Sequence, residues 1–460
     1  MREIDLQAVI DKARFSRLHI TIIFWCTLVM VLDGYDLAIV GISLPLIMKS
    51  MQVTPAQAGI MASASLLGMM VGSVLFGRVA DRAGRKPAMI LCVAIFSVFS
   101  AAAGVTSSPV AFSIARFLGG LGMGGVAPVG TAQMTEFSPR SARSTLVSLM
   151  FAGYSVGGVL AAVLGKSVLE RHGWQSVYLV AAVPVIFIPA MCKMLPESLS
   201  FLMAKGKESD IKAILRKLVP HHELQPNDRI VMQKAQNESG GLLGGLFKNG
   251  LATSTLMFWI ICMTNLFAVY GLSSWLTRLM AAAGYNLGSA LIFVLFLNLG
   301  AVAGAIGGGR LADRLDIRYV LVGMYLIAAV SIALLGYHAS TGVRYLLVAV
   351  AGACTIGTQI VVYAYIGQFY TAGVRATGVG WASGIGRLGA AFGPILIGII
   401  VGLKLSLHVN FFVMAIPSVL GAIAVGFINH RLSASAASLP SESSPADVNA
   451  QRAFGTASNQ

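Results

Sequence analysis

Twelve stretches of this chain, each of roughly 19 residues or more, are predominantly apolar, and a helix of that length crosses ~30 Å of hydrocarbon. They lie near residues 19–47, 57–77, 87–106, 110–135, 144–166 and 174–195, and then near 254–280, 287–309, 319–337, 343–366, 377–403 and 407–429. Composition agrees: 56% of the 460 residues are hydrophobic and 11% charged, with a mean hydropathy of +0.79. Soluble domains carry about a quarter charged residues. A water-soluble fold is excluded, and the expectation is an all-α integral membrane protein with twelve transmembrane helices.

The net charge of +15 would suggest nucleic acid in a soluble protein. Here the lysines and arginines fall between the apolar runs, where they set orientation in a bilayer. With the N-terminus in the cytoplasm, 24 of them occupy cytoplasmic segments and 6 the outer loops. That asymmetry places both termini inside, in a multi-pass membrane protein. The first 18 residues lack the pattern of a removable signal, so the first run is expected to stay as an anchor. Residues 1–18 are then a cytoplasmic segment, 19–195 an N-terminal six-helix bundle and 196–253 a hydrophilic cytoplasmic loop. Residues 254–429 make a C-terminal six-helix bundle, and 430–460, rich in Ser, Ala and Pro, a disordered tail. The five cysteines all lie in apolar runs and read as small packing residues. No ligand set at a metal-binding spacing accompanies His221 and His222, so neither metal nor cofactor is expected.

Two short segments repeat. Gly77-Arg-Val-Ala-Asp81-Arg82 and Gly309-Arg-Leu-Ala-Asp313-Arg314 each follow the second helix of their half. Equivalent placement argues for a duplicated unit, giving two pseudo-symmetric bundles of the kind found in one large transporter architecture. Glycines in the fuller first copy, Gly77 and Gly84, allow a tight turn. Asp81, Arg82 and Arg85 are candidates for inter-helix pairs that hold the cytoplasmic side shut.

Asp33 and Asp36 sit in the middle of the first apolar run. A charge in a spanning helix costs at least ~2.5 kcal/mol, so two acids there need partners, water or protonation. Spaced i, i+3, they share one face. Two close carboxylates in a low dielectric do not both ionise easily, which makes them candidate proton carriers. Arg116 in the fourth run and Arg387 in the eleventh are the arginines well inside apolar runs. Their depths overlap with that of the acids, so Arg116 can neutralise an aspartate, and either arginine can hold a substrate carboxylate in forked geometry.

The stretch Gly77-Arg-Val-Ala-Asp81-Arg82-Ala-Gly84-Arg85-Lys86 resembles the signature loop of the major facilitator superfamily, and with the twelve runs the resemblance spans about residues 15–430. Asp33-Gly34-Tyr35-Asp36, Arg116-Phe-Leu-Gly-Gly-Leu-Gly122 and Arg375-Ala-Thr-Gly-Val-Gly-Trp381 leading to Gly386-Arg387 resemble its aromatic acid:proton symporters. The opening, from Ile4-Asp5-Leu6 to Phe24-Trp25-Cys26, is most similar to the benzoate transporters among them. The resemblance implies transport roles for Asp33, Asp36 and Arg116, and matches Glu136 to a glutamate ending helix 4 that can pair with Arg85. The second copy has Leu315-Asp316-Ile317 where Ala83-Gly84-Arg85 stands in the first, which weakens the gating roles of Asp313 and Arg314.

An aromatic substrate needs aromatic or apolar walls, and Tyr35, Tyr270, Tyr363 and Trp381 are candidates. Trp275 is assigned to the interfacial aromatic belt. Asn265 and Asn298 are candidates either to meet substrate or to bridge helices. Gly153-Tyr-Ser155-Val-Gly157 fits a hydrolase elbow as a string, but lies inside a spanning helix and carries no such chemistry. The function expected is import of a small aromatic carboxylate, benzoate or a hydroxybenzoate, with protons by alternating access. The expected carrier is a monomer in contact with lipid, without nucleic acid and without enzymatic activity. A proton-coupled exporter of drugs or organic acids is the alternative; the fifth helix lacks the proline of the antiporter signature. A membrane sensor would need a larger soluble segment.

Overall fold

The computed structural model describes residues 3–11, 13, 15–139, 142–219, 229–231, 242–248, 250–370 and 372–433. Within them twelve helices are long and apolar enough to cross a membrane: Arg17–Met51, Pro55–Ala83, Arg85–Gly104, Pro109–Phe137, Thr145–Leu169, Gln175–Met194, Ala252–Ala282, Leu287–Ala312, Ile317–Leu334, Thr341–Phe369, Thr377–Gly402 and Leu407–Gly426, here spans 1 to 12. Hydrocarbon offers no hydrogen bonds, so each backbone must satisfy itself along the helix, and polar caps gather at the ends. Thr54, Asn286 and Ser340 cap spans 2, 8 and 10, each accepting from the backbone N–H three residues on.

Span 6 departs from the uninterrupted run expected at 174–195. It comprises Gln175–Val180 and Pro184–Met194. Pro184 has no N–H, and around it the backbone tightens: Ala181, Ala182 and Val183 donate three residues back rather than four, at 3.0 Å each.

Close backbone approach binds each half in the same way. Span 2 meets span 4 where Gly120 faces the Ser65 backbone, and span 8 meets span 10 where Gly352 faces that of Leu297. Span 1 meets span 5 at Gly157, which faces the backbone of Val31, Gly34 and Tyr35. Such contacts hold helices together in a solvent as apolar as their own side chains.

The halves do not pack evenly against each other. The described residues of 3–16, 195–251 and 427–433 lie on one side, the loop side. Toward the far side a single apolar cluster runs across both halves, from Ile39, Ile42 and Met61 to Leu272, Leu276, Leu291 and Ile397. Toward the loop side there are two clusters, one per half, with Ala391 the member of the first drawn from the second half. Gly41 meets the Ser273 backbone across the far-side seam, and Gly59 stands 2.5 Å, measured from an added Cβ, from the Pro394 carbonyl. Trp275 belongs to this seam and not to an aromatic belt: it is fully buried, its indole N–H donating to the Pro394 carbonyl at 2.9 Å.

The segment expected as a hydrophilic loop contains ordered structure. Helices Leu199–Ala204 and Glu208–Leu218 bury Leu199, Leu202, Ile211, Leu215 and Leu218 against the first half, the last three lying on one helical face. Strand β1, Glu3–Asp5, pairs in parallel with β2, Arg229–Val231, placing Ile4 opposite Ile230. Arg143 holds Asp11 at 2.7 Å. Of the expected tail, His430–Leu432 forms a 3₁₀ turn, and residues 434–460 lie outside the described residues.

Gly157→Val tests the close seam of spans 1 and 5. Overpacking of this kind costs about 1–3 kcal/mol, so the variant should unfold in detergent several degrees below wild type, by thermal-shift measurement. An unchanged midpoint would mean that the seam has slack.

Candidate functional site

Asp33 and Asp36 share a face of span 1, yet the structure gives them different surroundings. Arg116 of span 4 reaches Asp36 with both terminal nitrogens, Nη1 to Oδ2 at 2.7 Å and Nη2 to the Asp36 carbonyl at 3.3 Å. Nη1 also donates to Ser100 of span 3 at 3.2 Å. Both side chains of the pair have 0% exposure. The Arg116 guanidinium lies 5.6 Å from the Tyr178 ring centroid, so its open face meets an aromatic quadrupole. Asp36 Oδ1 and Arg116 Nε have no hydrogen-bond partner.

Asp33 is 3% exposed, and no hydrogen bond to it occurs among the described residues; its Oδ1 is buried without a partner. The charges acting on it are those of Asp36 beside it and Arg387 of span 11, in the other half. Arg387 itself crosses the seam between halves, donating from Nη1 to the Met69 carbonyl of span 2 at 3.3 Å.

Between the halves lies a cavity of about 30 Å³ lined by Gly34, Leu37, Leu66, Tyr154, Tyr270 and Asn298. A water needs about 10–15 Å³ on this measure, whereas a cavity that admits benzene is about 150 Å³. Tyr154 of span 5 and Tyr270 of span 7 bring two phenol rings to its wall, one from each half. Tyr154 was not singled out by sequence; it stands in the glycine-rich string set aside as a false elbow.

The other candidates separate. Asn298 lines the cavity, its amide donating to the Val294 carbonyl at 2.9 Å. Asn265 bridges spans 7 and 10, donating to Gln359 Oε1 at 2.7 Å and the Thr355 carbonyl at 3.2 Å. Tyr35 is buried and donates to the Val177 carbonyl at 2.9 Å, and Tyr363 donates to Ser383 at 3.2 Å. Trp381 is not brought to the cavity: it is 42% exposed and stacks on Trp259 at 5.9 Å.

On the loop side, span 2 ends at Gly84, whose φ of +103° favours glycine. Directly against it lies the carboxylate of Glu197, accepting from Arg85 N at 2.8 Å and Lys86 N at 3.2 Å. An anion at a helix N-terminus satisfies backbone N–H groups that no turn of the helix can reach. The Arg85 side chain pairs with Glu136 and donates to the Ala132 carbonyl at 2.9 Å; Glu136 also accepts from Ser198 Oγ at 2.8 Å and from Ser200 N. This knot ties spans 2, 3 and 4 to the segment after span 6, all within the first half. Asp81 and Arg82 are exposed, and among the described residues neither forms an ion pair; Gly77 has open space around it. In the second copy Arg314 is exposed and the Asp313 side chain lies outside the described residues. Asp316 there accepts from Arg318 N at 2.9 Å and pairs with its guanidinium at 2.8 Å. Those hydrogen bonds hold the Asp316 carboxyl below the usual carboxylate range. Among the described residues no group of three His, Cys, Asp or Glu could hold a metal ion.

Removing one member of a buried pair strands the other, at a cost of about 3–5 kcal/mol. Arg116→Ala and Asp36→Ala should therefore each sharply lower the folded fraction in fluorescence-detected size exclusion. The double variant Asp36→Asn/Arg116→Gln should recover part of it. Equal yields for all four proteins would show that the pair is dispensable.

The family model of the Major Facilitator Superfamily matches residues 26–358 and 298–457. A benzoate transport protein of Acinetobacter baylyi is 40% identical, over 94% of this chain and 94% of that protein. A gentisate transporter of Corynebacterium glutamicum is 33% identical over 90% and 87% of the two chains, and a 4-hydroxybenzoate transporter of Acinetobacter baylyi 31% over 92% and 93%. Among solved structures, a D-xylose-proton symporter superposes with a TM-score of 0.70 at 16% identity, covering 89% of this chain and 97% of that one. That likeness is one of fold.

Proposed function

This chain belongs to the major facilitator superfamily, and on that premise we propose that it imports an aromatic carboxylate, benzoate or a hydroxybenzoate, in symport with protons. The carrier sits in a bacterial inner membrane with its loop side and both termini in the cytoplasm, the orientation that the excess of lysine and arginine in those segments favours. What supports the substrate class is the agreement of relatives named for benzoate, gentisate and 4-hydroxybenzoate, each aligned over nearly the whole chain.

The observation that carries the coupling is the unequal treatment of two carboxylates three residues apart. Asp36 is committed to Arg116, while Asp33 is buried and unbonded. A buried ionised carboxylate is expensive unless paired, so Asp33 is the group that gains and loses the proton. Arg387 supplies a planar fork for the substrate carboxylate, and Tyr154, Tyr270, Leu37 and Leu66 offer ring and apolar walls. The present cavity is too small for an aromatic acid, so the substrate enters as the halves part. Parting on the loop side, where the apolar core is already divided between the halves, opens the route to the cytoplasm. Parting of the far-side seam opens the other route. In the gating loop, the Arg85–Glu136–Glu197 knot keeps the first half rigid, while Asp81 and Arg82 of one half, both exposed, and Asp313 and Arg314 of the other remain to close the cytoplasmic side in the opposite state.

One titrating carboxylate moves one proton with one monoanion, and the cycle transfers no net charge. Purified carrier in proteoliposomes should accumulate labelled benzoate when the outside is acidified. Accumulation should collapse with a protonophore and stay insensitive to an imposed potassium diffusion potential, which would add ~2.3 kcal/mol per 100 mV if a second proton travelled. Uptake driven by potential alone would contradict single-proton coupling. Efflux without uptake, or no movement of any aromatic acid, would overturn the functional reading.

A further inference from the structure

Among the described residues Arg344 is the other deeply buried arginine beside Arg116, and it has no acid to pair with. It is 5% exposed and stands at the start of span 10, on the far side of the second half. Residues 254–429 hold two acids, Asp313 and Asp316, and both lie at the loop-side turn after span 8. A helix start presents the positive end of the backbone dipole, which disfavours a cation. Burying a charge without a counter-charge is costly. The second half leaves this guanidinium uncompensated, and what would compensate it is an anion.

One structural role is visible. Nη2 donates to the Tyr337 carbonyl at 3.0 Å, just past the end of span 9. That bond uses one of five donors, and Nε is buried without a partner. The internal repeat shows that packing alone does not ask for an arginine here. The register that carries Gly77 onto Gly309 carries span 4 onto span 10, both 29 residues long, and Phe112 onto Arg344. Phe112 is buried edge-on against Trp174 and Tyr178, with ring centroids 5.9 and 5.5 Å away.

Aromatic side chains gather beside Arg344 as well. Its guanidinium lies 5.5 Å from the Tyr285 ring centroid. Tyr285 packs edge-on against Phe293 at 5.0 Å, Phe293 meets Tyr345 at 4.5 Å, and Tyr345 stacks on Phe296 at 4.8 Å. Phe293 belongs to the far-side cluster that runs across both halves, and the other three pack against it. The far-side helix ends also carry Lys49, Lys166, Arg171, Arg278 and Lys404 against one acid, Glu170. A surface of that sign draws anions toward it.

We propose that Arg344 is an outer capture site: its guanidinium takes the carboxylate of the incoming aromatic acid, and Tyr285 and Tyr345 take its ring, before the acid reaches the cavity between the halves. Parting of the far-side seam uncovers the site, because its rings pack on the cluster that the two halves share there. This rests on the import reading and adds to it where the acid is first held.

The test is uptake of labelled benzoate into proteoliposomes as a function of external concentration, under a fixed acid-outside pH gradient. Arg344→Gln should raise KM about tenfold while the maximal rate per inserted carrier is kept, because a charge-assisted fork is lost from binding alone. Arg344→Lys keeps the charge but not the fork, so its KM should fall between. Wild-type KM in Arg344→Gln, or a lower maximal rate with KM unchanged, would reduce Arg344 to a cap on span 9 and overturn the proposal. So would a wild-type KM that rises to the variant's value when phosphatidylglycerol is left out of the vesicles, because the occupant is then a lipid headgroup. A second measurement leaves position 344 intact. Purified Arg387→Gln carrier should still bind labelled benzoate in equilibrium dialysis, displaced by unlabelled benzoate and not by neutral benzamide. Absence of that binding overturns the capture site whether or not Arg344→Gln inserts. Wild type that takes up no aromatic acid contradicts the import reading itself.

Discussion

An arginine and an aspartate sealed together with no access to water hold the first half of this molecule in register. The Asp36–Arg116 pair joins spans 1 and 4, takes in Ser100 of span 3, and lies against the Tyr178 ring of span 6. Desolvating two charges is costly, and geometry this close is what makes the cost tolerable. Everything distinctive about Asp33 follows from it. Arg116 is taken up by Asp36, so Asp33 stays buried beside the cavity-lining Gly34 with no hydrogen bond among the described residues.

The seam is built to have more than one state. Its far side is closed by glycines, a tryptophan and carbonyl oxygens in direct contact, and Arg387 spans it at mid-depth with one long hydrogen bond. On the loop side the apolar core has separated into two. Each half keeps its own tight glycine contacts, so the halves move as bodies, and what changes between states is which end of the seam is packed. A cavity that holds only water at the junction is the expected resting condition of a carrier that must never be open to both sides.

Much of this was legible in the sequence, because bilayer thickness and backbone hydrogen bonding leave few choices. The twelve spans and the duplicated halves follow from run length and from the repeated Gly77 and Gly309 segments. So does the meeting of a first-helix acid with Arg116, since both lie at similar depth. Which acid Arg116 takes was not legible: residues three apart share a helix face, and only the rotation of span 1 against span 4 decides. Trp275 was misassigned because position near a helix end suggests an interface, while burial depends on Pro394 and Gly398, more than a hundred residues away. Glu197 carried no signal beyond following a proline after span 6; its work is to cap a helix far earlier in the chain. The β1–β2 pairing joins residues 3–5 to 229–231, a contact that no local pattern announces. Trp381 fits an aromatic wall by type, yet the face of span 11 that bears it turns outward to Trp259.

The most direct measurement is an experimental structure of the carrier at acidic pH with benzoate bound. The account predicts a carboxylate within hydrogen-bonding distance of the Arg387 fork, the ring between Tyr154 and Tyr270, and Arg116 still on Asp36. A benzoate carboxylate seated on Arg116 with Asp36 displaced would contradict it.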